Sequence, residues 1–461
     1  METKKAWLGY DSDAIYELER LCESYRAFIT VSKTERKCVE NAVLMAEAAG
    51  YRNLSDIVKN RETVKTGDRI YAVGMKKTLA LFQIGTEPLE NGMNILGAHI
   101  DSPRMDVKQV PLYQDSQAEF AYLDTHYYGG IRKYQWLALP LAMYGVIVKK
   151  DGTVMDVSIG DGNDDPVLFI SDLLPHLAHK FEGKSIEEVF EGEKLDVMIG
   201  SRPLEGEEKD ATKARMLKFF KDRYDIDEDD FISAELEIVP AGEARDAGLD
   251  RSMILGYGQD DRVCAYTSIA ALFDTKASRR TSVCLLTDKE EIGSVGATGA
   301  QSMFFENAVA EILAAMGSDS NLAVRRALSN SRMLSSDVSA AFDPLYPSVS
   351  EVKNSAFFGK GVCFNKFTGR RGKSGSNDAN AEYVAAMRKV MDDNGVRYQT
   401  AELGKVDEGG GGTIAYISAK YAMEVIDSGV PVLSMHAPWE TCSKSDIYEA
   451  YKAYKAFLKD A

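Results

Sequence analysis

Two hydrophobic patterns alternate along the chain and divide it into three stretches. In the first and last stretches, short apolar runs of strand length are separated by segments with apolar residues at helical spacing. Strands that alternate with helices are typical of a mostly parallel sheet with helices on both faces, so the pattern predicts an α/β fold. The apolar runs are MNILGA, SVCLLT, RMLSSD and PVLSMH, and the helical segments are KCVENAVLMAEAAG, VCAYTSIAALFD, NAEYVAAMRKVMDD and KSDIYEAYKAYKAFLKD.

The middle stretch has a different pattern, in which short alternating runs such as EFAYLDTHYYGG are separated by turn residues. This alternation is typical of antiparallel strands. One segment, EEKDATKARMLKFFKDRY, has the spacing of an amphipathic helix. We therefore predict a β-rich domain at residues 104–246, inserted into an α/β domain formed by residues 1–103 and 247–461.

The bounds of one helix can be predicted from its terminal residues. Ser32 followed by Glu35 matches a capping box, in which the two side chains satisfy free N–H groups of the first turn. Gly50 is typical of the residue that ends a helix. We expect a helix that begins after Ser32 and ends at Gly50.

The composition narrows the class of function. The 461 residues carry a net charge of −16, which argues against a general binder of nucleic acid or of a membrane surface. The six cysteines include no C-x-x-C pair, and the N-terminus lacks the apolar stretch of a secretory signal. The longest apolar segment, residues 136–148, contains Pro140 and Gly145 and is too short to span a bilayer. We expect a cytoplasmic protein with reduced thiols and no nucleic-acid or membrane partner.

Polar residues that can bind a metal follow the four predicted strands. Ligands in open α/β sheets bind beyond the carboxyl ends of the strands, so we expect these residues to converge. A further pair, Asp260 and Asp261, precedes a predicted helix. The residues at the strand ends are His99 with Asp101, Glu290 with Glu291, Asp337, and His436.

These residue types suit divalent metal ions. Two histidines with several carboxylates favour zinc, with cobalt or manganese as alternatives, and the lack of cysteine argues against a closed structural zinc site. Two metals about 3.5–4 Å apart need a bridging carboxylate, for which Asp260 is the candidate. Of the adjacent Glu290 and Glu291, one can bind metal while the other moves a proton from water to a leaving amine.

Each feature alone also has an ordinary structural explanation. A single histidine at a strand end is often a hydrogen-bonded structural residue, and a Glu–Glu pair is often a solvated turn. An Asp–Asp pair before a helix is often an N-cap. Five such sites in one chain are difficult to explain as five independent caps, so the set indicates a metal site.

Five short segments of the chain can be compared as a set: GAHIDSPR, DDR, EEIGSVGA, SSDVSAAFDP and LSMHAP. Together they resemble the M18 metallopeptidases, the family of aspartyl aminopeptidases and vacuolar aminopeptidase I. The resemblance extends over nearly the whole chain, including the insert, where YYGGIRKYQW and LLPHLAHK are similar to family segments. It implies a zinc-peptidase-like catalytic domain with an inserted β-rich oligomerisation domain.

The resemblance implies a role for each candidate residue. Glu290 would be the general base and acid, activating a hydroxide that bridges two metals. Asp101 would orient His99, as metal-bound imidazoles usually require. A cis peptide bond would join Asp260 and Asp261. The implied ligands are His99, Asp260 and Asp337 for one metal, and Asp260, Glu291 and His436 for the other.

The resemblance also implies an assembly. His176 matches a histidine that family members lend to a neighbouring subunit, where it would stabilise the oxyanion. The alternative is a structural histidine of the insert. Family members form a dodecamer built from dimers, which limits substrates to peptides and unfolded termini. We therefore expect a homo-oligomer, and a dimer-based dodecamer in particular.

The substrate contacts are less defined. Lys373 lies in the densest basic stretch, where it would contact an acidic substrate or belong to a solvated loop. Gly412 and Thr413 follow a glycine run that would contact the peptide backbone or form only a tight turn. After Asp337 the sequence VSAAFDP departs from the acidic-specific members. The preferred N-terminal residue, acidic or neutral, therefore stays open.

The candidate ligands and the family resemblance together lead us to expect an aminopeptidase that hydrolyses the N-terminal residue of peptides with two divalent metal ions. Two alternatives stay open. One is another two-metal amide hydrolase, such as an aminoacylase or deacetylase. The other is a catalytically inactive assembly scaffold, against which the complete ligand set argues.

Overall fold

The computed structural model describes residues 4–162, 164–276 and 278–461, and the chain divides into two compact units. We call the first the α/β unit and the second the β unit. The dimerisation role of the insert stays a prediction. The α/β unit comprises Met1–Asp101, Ala244–Met435 and Glu440–Ala461, and the β unit comprises Ser102–Glu243 and His436–Trp439.

The described part of the chain contains eleven α-helices and twenty strands, labelled here in chain order. The helices are α1 (Ser12–Val31), α2 (Glu35–Ala48), α3 (Leu54–Asn60), α4 (Ile186–Val189), α5 (Ala211–Tyr224), α6 (Gln259–Asp274), α7 (Phe304–Ala315), α8 (Asn321–Ser329), α9 (Ala381–Asp393), α10 (Ala415–Ser418) and α11 (Lys444–Asp460). The strands are β1 (Arg52–Asn53), β2 (Arg69–Gly74), β3 (Thr78–Gln83), β4 (Met93–His99), β5 (Arg104–Gln114), β6 (Ala121–Tyr128), β7 (Leu141–Val148), β8 (Val154–Ile159), β9 (Val197–Gly200), β10 (Ala234–Pro240), β11 (Arg245–Ala247), β12 (Met253–Gly256), β13 (Thr281–Thr287), β14 (Arg332–Ser335), β15 (Ser339–Ala340), β16 (Val362–Asn365), β17 (Tyr398–Thr400), β18 (Glu424–Gly429), β19 (Pro431–Leu433) and β20 (Glu440–Ser443).

The α/β unit is built on a nine-stranded sheet with the order β1-β2-β3-β13-β4-β14-β18-β16-β17. Its four central strands, β13, β4, β14 and β18, run parallel. In this register Leu96 of β4 lies between Cys284 of β13 and Leu334 of β14. Antiparallel pairing is confined to β2–β3, β3–β13 and β16–β18 among the pairings of the described residues. The predicted α/β class with a mostly parallel sheet is confirmed.

Helices cover both faces of this sheet. Successive strand residues point to opposite faces, so neighbours on β4 enter different cores. Leu96 packs with the core formed by α1, α2, α6, α9 and α11, whereas Ile95 packs with the core formed by α3, α7 and α8. A strand that is buried on both faces has a nearly continuous run of apolar residues in the sequence, and such a run identified β13.

The β unit contains a six-stranded sheet with the order β8-β7-β10-β5-β6-β9, and its pairings are antiparallel as the alternating pattern predicted. The amphipathic helix predicted in this block is α5, which buries Phe220. Gly145 of β7 has a φ of 146°, and a side chain there would overlap the main-chain oxygen of Glu235 on β10. Glycine is therefore required where these two strands pair.

The helix α2 begins two residues later than the sequence predicted. Its N-cap is Thr34, whose hydroxyl accepts a hydrogen bond from the N–H of Lys37 at 3.2 Å. Ser32 is instead the C-cap of α1, and its hydroxyl lies 3.0 Å from Nδ2 of Asn41. The predicted Ser32–Glu35 capping box is wrong, because α1 extends to Val31 and leaves only three residues for the turn.

The fourth predicted strand, in PVLSMH, lies outside the nine-stranded sheet. The strand in this segment is β19, which belongs to a five-stranded sheet with the order β11-β12-β20-β19-β15. The strand of the large sheet at this point is β18, which the sequence did not indicate because Asp427 and Ser428 interrupt its apolar run.

Two further observations concern membrane-spanning helices and disulfide bonds. No helix within residues 4–162, 164–276 and 278–461 has both the length and the apolar character needed to cross a membrane. All six cysteines are buried and free of disulfides.

We expect Phe82→Ala to lower the free energy of unfolding by about 3–5 kcal/mol, because it leaves a cavity in a fully packed core. The Phe82 ring on β3 is buried, and its centroid lies 6.1 Å from that of Phe305 on α7. Denaturant unfolding followed by circular dichroism measures the loss. Leu322→Ala, at an exposed position of α8, is the control and should change stability by no more than about 0.5 kcal/mol. Equal effects of the two changes would contradict the packing described.

Candidate active site

Three parallel strands end at one edge of the nine-stranded sheet and carry predicted ligands to it. The strands β4, β13 and β14 pair in parallel register, so their carboxyl ends meet. His99 is the last residue of β4, Glu290 begins a short 3₁₀ turn after β13, and Asp337 follows β14 by two residues. The helix α6, which packs against β4, begins with Gln259 and Asp260. The sheet topology thus gathers residues that are far apart in sequence.

His99, Asp260 and Asp337 form a buried cluster. Nε2 of His99 lies 3.1 Å from Oδ1 of Asp260 and 3.9 Å from Oδ1 of Asp337. In this cluster one ligand atom of each residue lies within 4.8 Å of the ligand atoms of the other two. The ligand atoms of His99, Glu290 and Glu291 also lie within 4.8 Å of one another. Imidazole nitrogens and carboxylate oxygens at such distances can share a divalent cation.

The electrostatics of this cluster favour a bound cation. Burial raises the pKa of Asp337 well above its ordinary value; His99 lowers it, and Glu290 and Asp260 raise it further. Burial lowers the pKa of His99, but hydrogen bonds to Asp101 and Asp260 outweigh burial and raise it overall. Buried carboxylates that repel one another need a compensating positive charge, which a divalent ion would supply.

Asp101 lies behind the cluster and contacts both glutamates of the Glu290–Glu291 pair. Its two carboxylate oxygens accept hydrogen bonds from the main-chain N–H groups of Glu290 and Glu291, each with an N···O distance of 3.1 Å. Nδ1 of His99 lies 3.0 Å from the main-chain oxygen of Asp101 and 3.3 Å from its Oδ1. A single buried carboxylate therefore holds the turn after β13 against the end of β4.

Two more buried carboxylates accept main-chain N–H groups of predicted ligands. Glu440, at the start of β20, accepts from the N–H of Asp260 at 2.9 Å. Asp261 accepts from the N–H of His99 at 3.3 Å. The peptide bond between Asp260 and Asp261 is cis, as the family resemblance implied. Asp260 is extended, with φ −82° and ψ 106°, so the regular part of α6 begins only after this pair.

Two acids near the cluster, Asp427 and Glu440, were not predicted from the sequence. Asp427 lies on β18 in register with Ser335 of β14, and burial raises its pKa to about 6. A signal was available, because aspartate and glutamate are almost never fully buried without a partner. Each of these acids directly follows apolar residues, in EVIDSG and PWETCS.

Two predicted histidines belong to the β unit. Nδ1 of His436 lies 2.9 Å from the main-chain oxygen of Gly130 in the same unit. His176 is exposed on the 3₁₀ helix Pro175–Phe181, where its main-chain oxygen lies 3.3 Å from Nδ1 of His179. Their roles in metal binding and in a neighbouring subunit stay predictions.

Lys373 lies in an exposed loop of the α/β unit. Its Nζ is 2.9 Å from Oδ2 of Asp378 and 3.8 Å from the centre of the Phe367 ring. Asp378 also pairs with Lys366. The basic stretch is therefore partly neutralised by its own loop, and a role in substrate contact stays a prediction.

The glycine run lies beside the same loop. A side chain at Gly410 would overlap the main-chain oxygen of Gly369, whereas a Cβ on Gly412 would meet no atom of the described residues within 4 Å. Thr413 is buried, and its hydroxyl accepts from the N–H of Ala415 at 3.3 Å. The helix that follows, α10, has only four residues, so the run does not form the N-terminus of a long helix. Substrate contact by Gly412 and Thr413 stays a prediction.

Comparison with known proteins identifies one protein family. The family model described as Aminopeptidase I zinc metalloprotease (M18) matches residues 28–458. The chain is 57% identical over 460 residues to the Probable M18 family aminopeptidase 1 of Clostridium acetobutylicum, covering 100% of this chain and 98% of that protein.

Solved structures agree with this match. The crystal structure of an M18 family aminopeptidase from Thermotoga maritima has a TM-score of 0.94 and 43% identity, and that of aminopeptidase I from C. acetobutylicum has a TM-score of 0.92 and 55% identity, each with 100% coverage of both chains. The structure of the mApe1 dodecamer from S. cerevisiae has 19% identity and a TM-score of 0.75, covers 95% of this chain and 96% of that chain, and shares the fold.

The family match over most of the chain agrees with the motifs singled out in the sequence and with the cluster of ligand atoms at the sheet edge. Relatives of such identity over full length share both the fold and the family. The chain belongs to the M18 family of zinc metallo-aminopeptidases.

Proposed function

We propose that this metal-dependent aminopeptidase uses two divalent ions to hydrolyse the N-terminal residue of peptides. Membership of the family supports the aminopeptidase reaction. The observation that carries the finer proposal is the convergence of His99, Asp260 and Asp337 with Glu290 and Glu291 at one edge of the sheet.

The nitrogen and oxygen donors of this cluster fit zinc, with cobalt or manganese as alternatives. His99, Asp260 and Asp337 would hold one ion, and Asp260, Glu291 and His436 would hold the other. The assignment of His436 rests on the family motif LSMHAP. When bound, two such ions polarise a substrate carbonyl and lower the pKa of water.

Glu290 is the proposed proton carrier. It would take a proton from the attacking water and deliver it to the amine that leaves. Support comes from Asp101, which accepts the main-chain N–H groups of Glu290 and Glu291. Fixing both main-chain positions would let one carboxylate bind metal while its neighbour keeps a separate direction for proton transfer.

Lys373, Gly412 and Thr413 are the proposed substrate contacts. An acidic substrate side chain would have to compete with Asp378 for Lys373, because these two side chains already form an ion pair. Gly412 has open space where a side chain would be, which would allow a peptide backbone to approach. Acidic and neutral N-terminal residues are therefore both tested below.

We also propose a homo-oligomer, with the dimer-based dodecamer as its specific form and the β unit as the dimerisation element. Leu173, Leu174 and Leu177 of the β unit are exposed around His176, and exposed apolar groups of this kind favour contact with a second chain. In such a dimer His176 would stabilise the oxyanion in the neighbouring subunit.

The reaction is tested with chelator-treated protein and a panel of amino-acyl p-nitroanilides, dipeptides and N-acyl amino acids. Zinc, cobalt or manganese should restore release of N-terminal residues from free-amine substrates, because the ligand cluster binds divalent ions. The metal content should approach two ions per subunit and fall towards one in His436→Ala, with His126→Ala as the exposed control. Release only from N-acyl substrates would overturn the aminopeptidase reaction.

Glu290→Gln should reduce kcat by roughly 10²–10⁴-fold, because the amide cannot accept and return a proton. Metal content and assembly should not change. Steady-state kinetics on the best free-amine substrate give the result, with Glu311→Gln at an exposed position of α7 as the matched control. Turnover that survives Glu290→Gln would remove Glu290 from this role.

His176→Ala should reduce kcat by roughly 10²–10³-fold if its imidazole completes a neighbouring site. Co-expression of His176→Ala chains with Glu290→Gln chains should then restore activity, because a mixed dimer contains one site with an intact Glu290 and an intact partner histidine. Light scattering checks that assembly is preserved. Failure of the mixture to recover activity, with assembly intact, would contradict a role across subunits.

A further inference from the structure

We propose that Glu440 is a positioning residue for Asp260, the aspartate assigned above to bridge two ions. The inference rests on the proposed function, because it takes Asp260 as a metal ligand. Oε2 of Glu440 accepts the main-chain N–H of Asp260 at 2.9 Å, and Glu440 is only 1% exposed. Glu440 itself acts behind the ligand cluster, through the main chain of its neighbour.

The N–H of Asp260 needs such an acceptor. The first N–H groups of a helix have no partner within the helix, and Asp260 is the second residue of α6. Asp260 is also buried, so bulk water has little access to this N–H. A carboxylate is the favourable acceptor at this position, because charge-assisted hydrogen bonds are stronger than those between neutral groups.

A second link ties the same residues to β20. Nε2 of Gln259 donates to the main-chain oxygens of Glu440 at 2.6 Å and Ile254 at 3.0 Å. The hydroxyl of Tyr25 donates to Oε1 of Gln259 at 3.2 Å. Every hydrogen-bonding group of the Gln259 side chain thus faces a buried partner, and Glu440 contacts both Gln259 and Asp260.

The consequence concerns the direction of the Asp260 carboxylate. Asp260 has extended backbone angles, so α6 does not hold it by its own hydrogen-bond ladder. The contacts from Glu440 fix its main chain against β20, which pairs with β12 at Gly256. A bridging carboxylate has to present oxygens in two directions at once, so a small rotation of this residue should weaken metal binding.

The test compares two substitutions of similar size. Glu440→Met keeps the length of the side chain but offers no good acceptor, whereas Glu440→Gln keeps an oxygen that can accept the N–H. Each variant is chelator-treated and titrated with Co²⁺, with affinity read by calorimetry and ligand geometry by the visible absorption of cobalt. We expect Glu440→Met to weaken at least one ion about 10–100-fold and to alter the spectrum. Glu440→Gln should recover most of the affinity and the spectrum.

The matched control is Asp446→Ala. Asp446 is also a buried carboxylate that accepts main-chain N–H groups, from Gly359 at 2.7 Å and Gly361 at 2.8 Å, but these glycines are not predicted ligands. Its loss should lower the melting temperature and leave the cobalt affinity unchanged.

Any one of three results would overturn the role of Glu440. The first is a Glu440→Met variant that binds Co²⁺ as tightly as the wild type. The second is a Glu440→Gln variant whose Co²⁺ affinity is as low as that of Glu440→Met, and the third is an equal loss of Co²⁺ affinity in Asp446→Ala. A wild-type chain that binds no Co²⁺ would instead refute the proposed metal site itself. The two failures are therefore distinguishable in one set of titrations.

Discussion

The mutual repulsion of buried carboxylates at one edge of the sheet is the constraint on which the α/β unit depends. Asp260 and Asp337 are buried within reach of the same imidazole, and Glu290 raises the pKa of Asp337 through its charge. Acids in such surroundings are stable only when other groups compensate their charge. Main-chain N–H groups compensate the acids next to the cluster, and the donors of the cluster itself could bind divalent ions that compensate the rest.

The acids of the site fall into two groups by what they contact. One group directs its carboxylates towards Nε2 of His99, and the other accepts hydrogen bonds from main-chain N–H groups of predicted site residues. Asp101, Asp261 and Glu440 form the second group, and they connect the predicted ligands Glu291, His99 and Asp260, respectively, to other elements of the fold. This division accounts for carboxylates of the site that are not in the proposed ligand set. It also makes the position of these predicted ligands depend on residues outside the predicted ligand set.

Close approach of main chains adds to this arrangement. A side chain at Gly429, the last residue of β18, would overlap the main-chain oxygen of Asp337. Glycine therefore lets the end of β18 lie directly against the segment that carries a predicted ligand. Asp427, two residues earlier, contributes a buried charge that raises the pKa of Asp337. The strand that the apolar pattern missed is thus one that supports the site.

The sequence by itself determined the α/β class, the antiparallel insert and the ligand candidates. Continuous apolar runs reveal strands buried on both faces, and the polar residues that end them stand out by contrast. Local rules were less decisive where two signals competed, as at Ser32, which caps the end of α1 rather than the start of α2. Only the tertiary structure decided that β19 belongs to the five-stranded sheet and that Glu440 and Asp261 contact predicted ligands. Those contacts join residues more than 150 positions apart, and no local pattern records which distant N–H group a buried acid will meet.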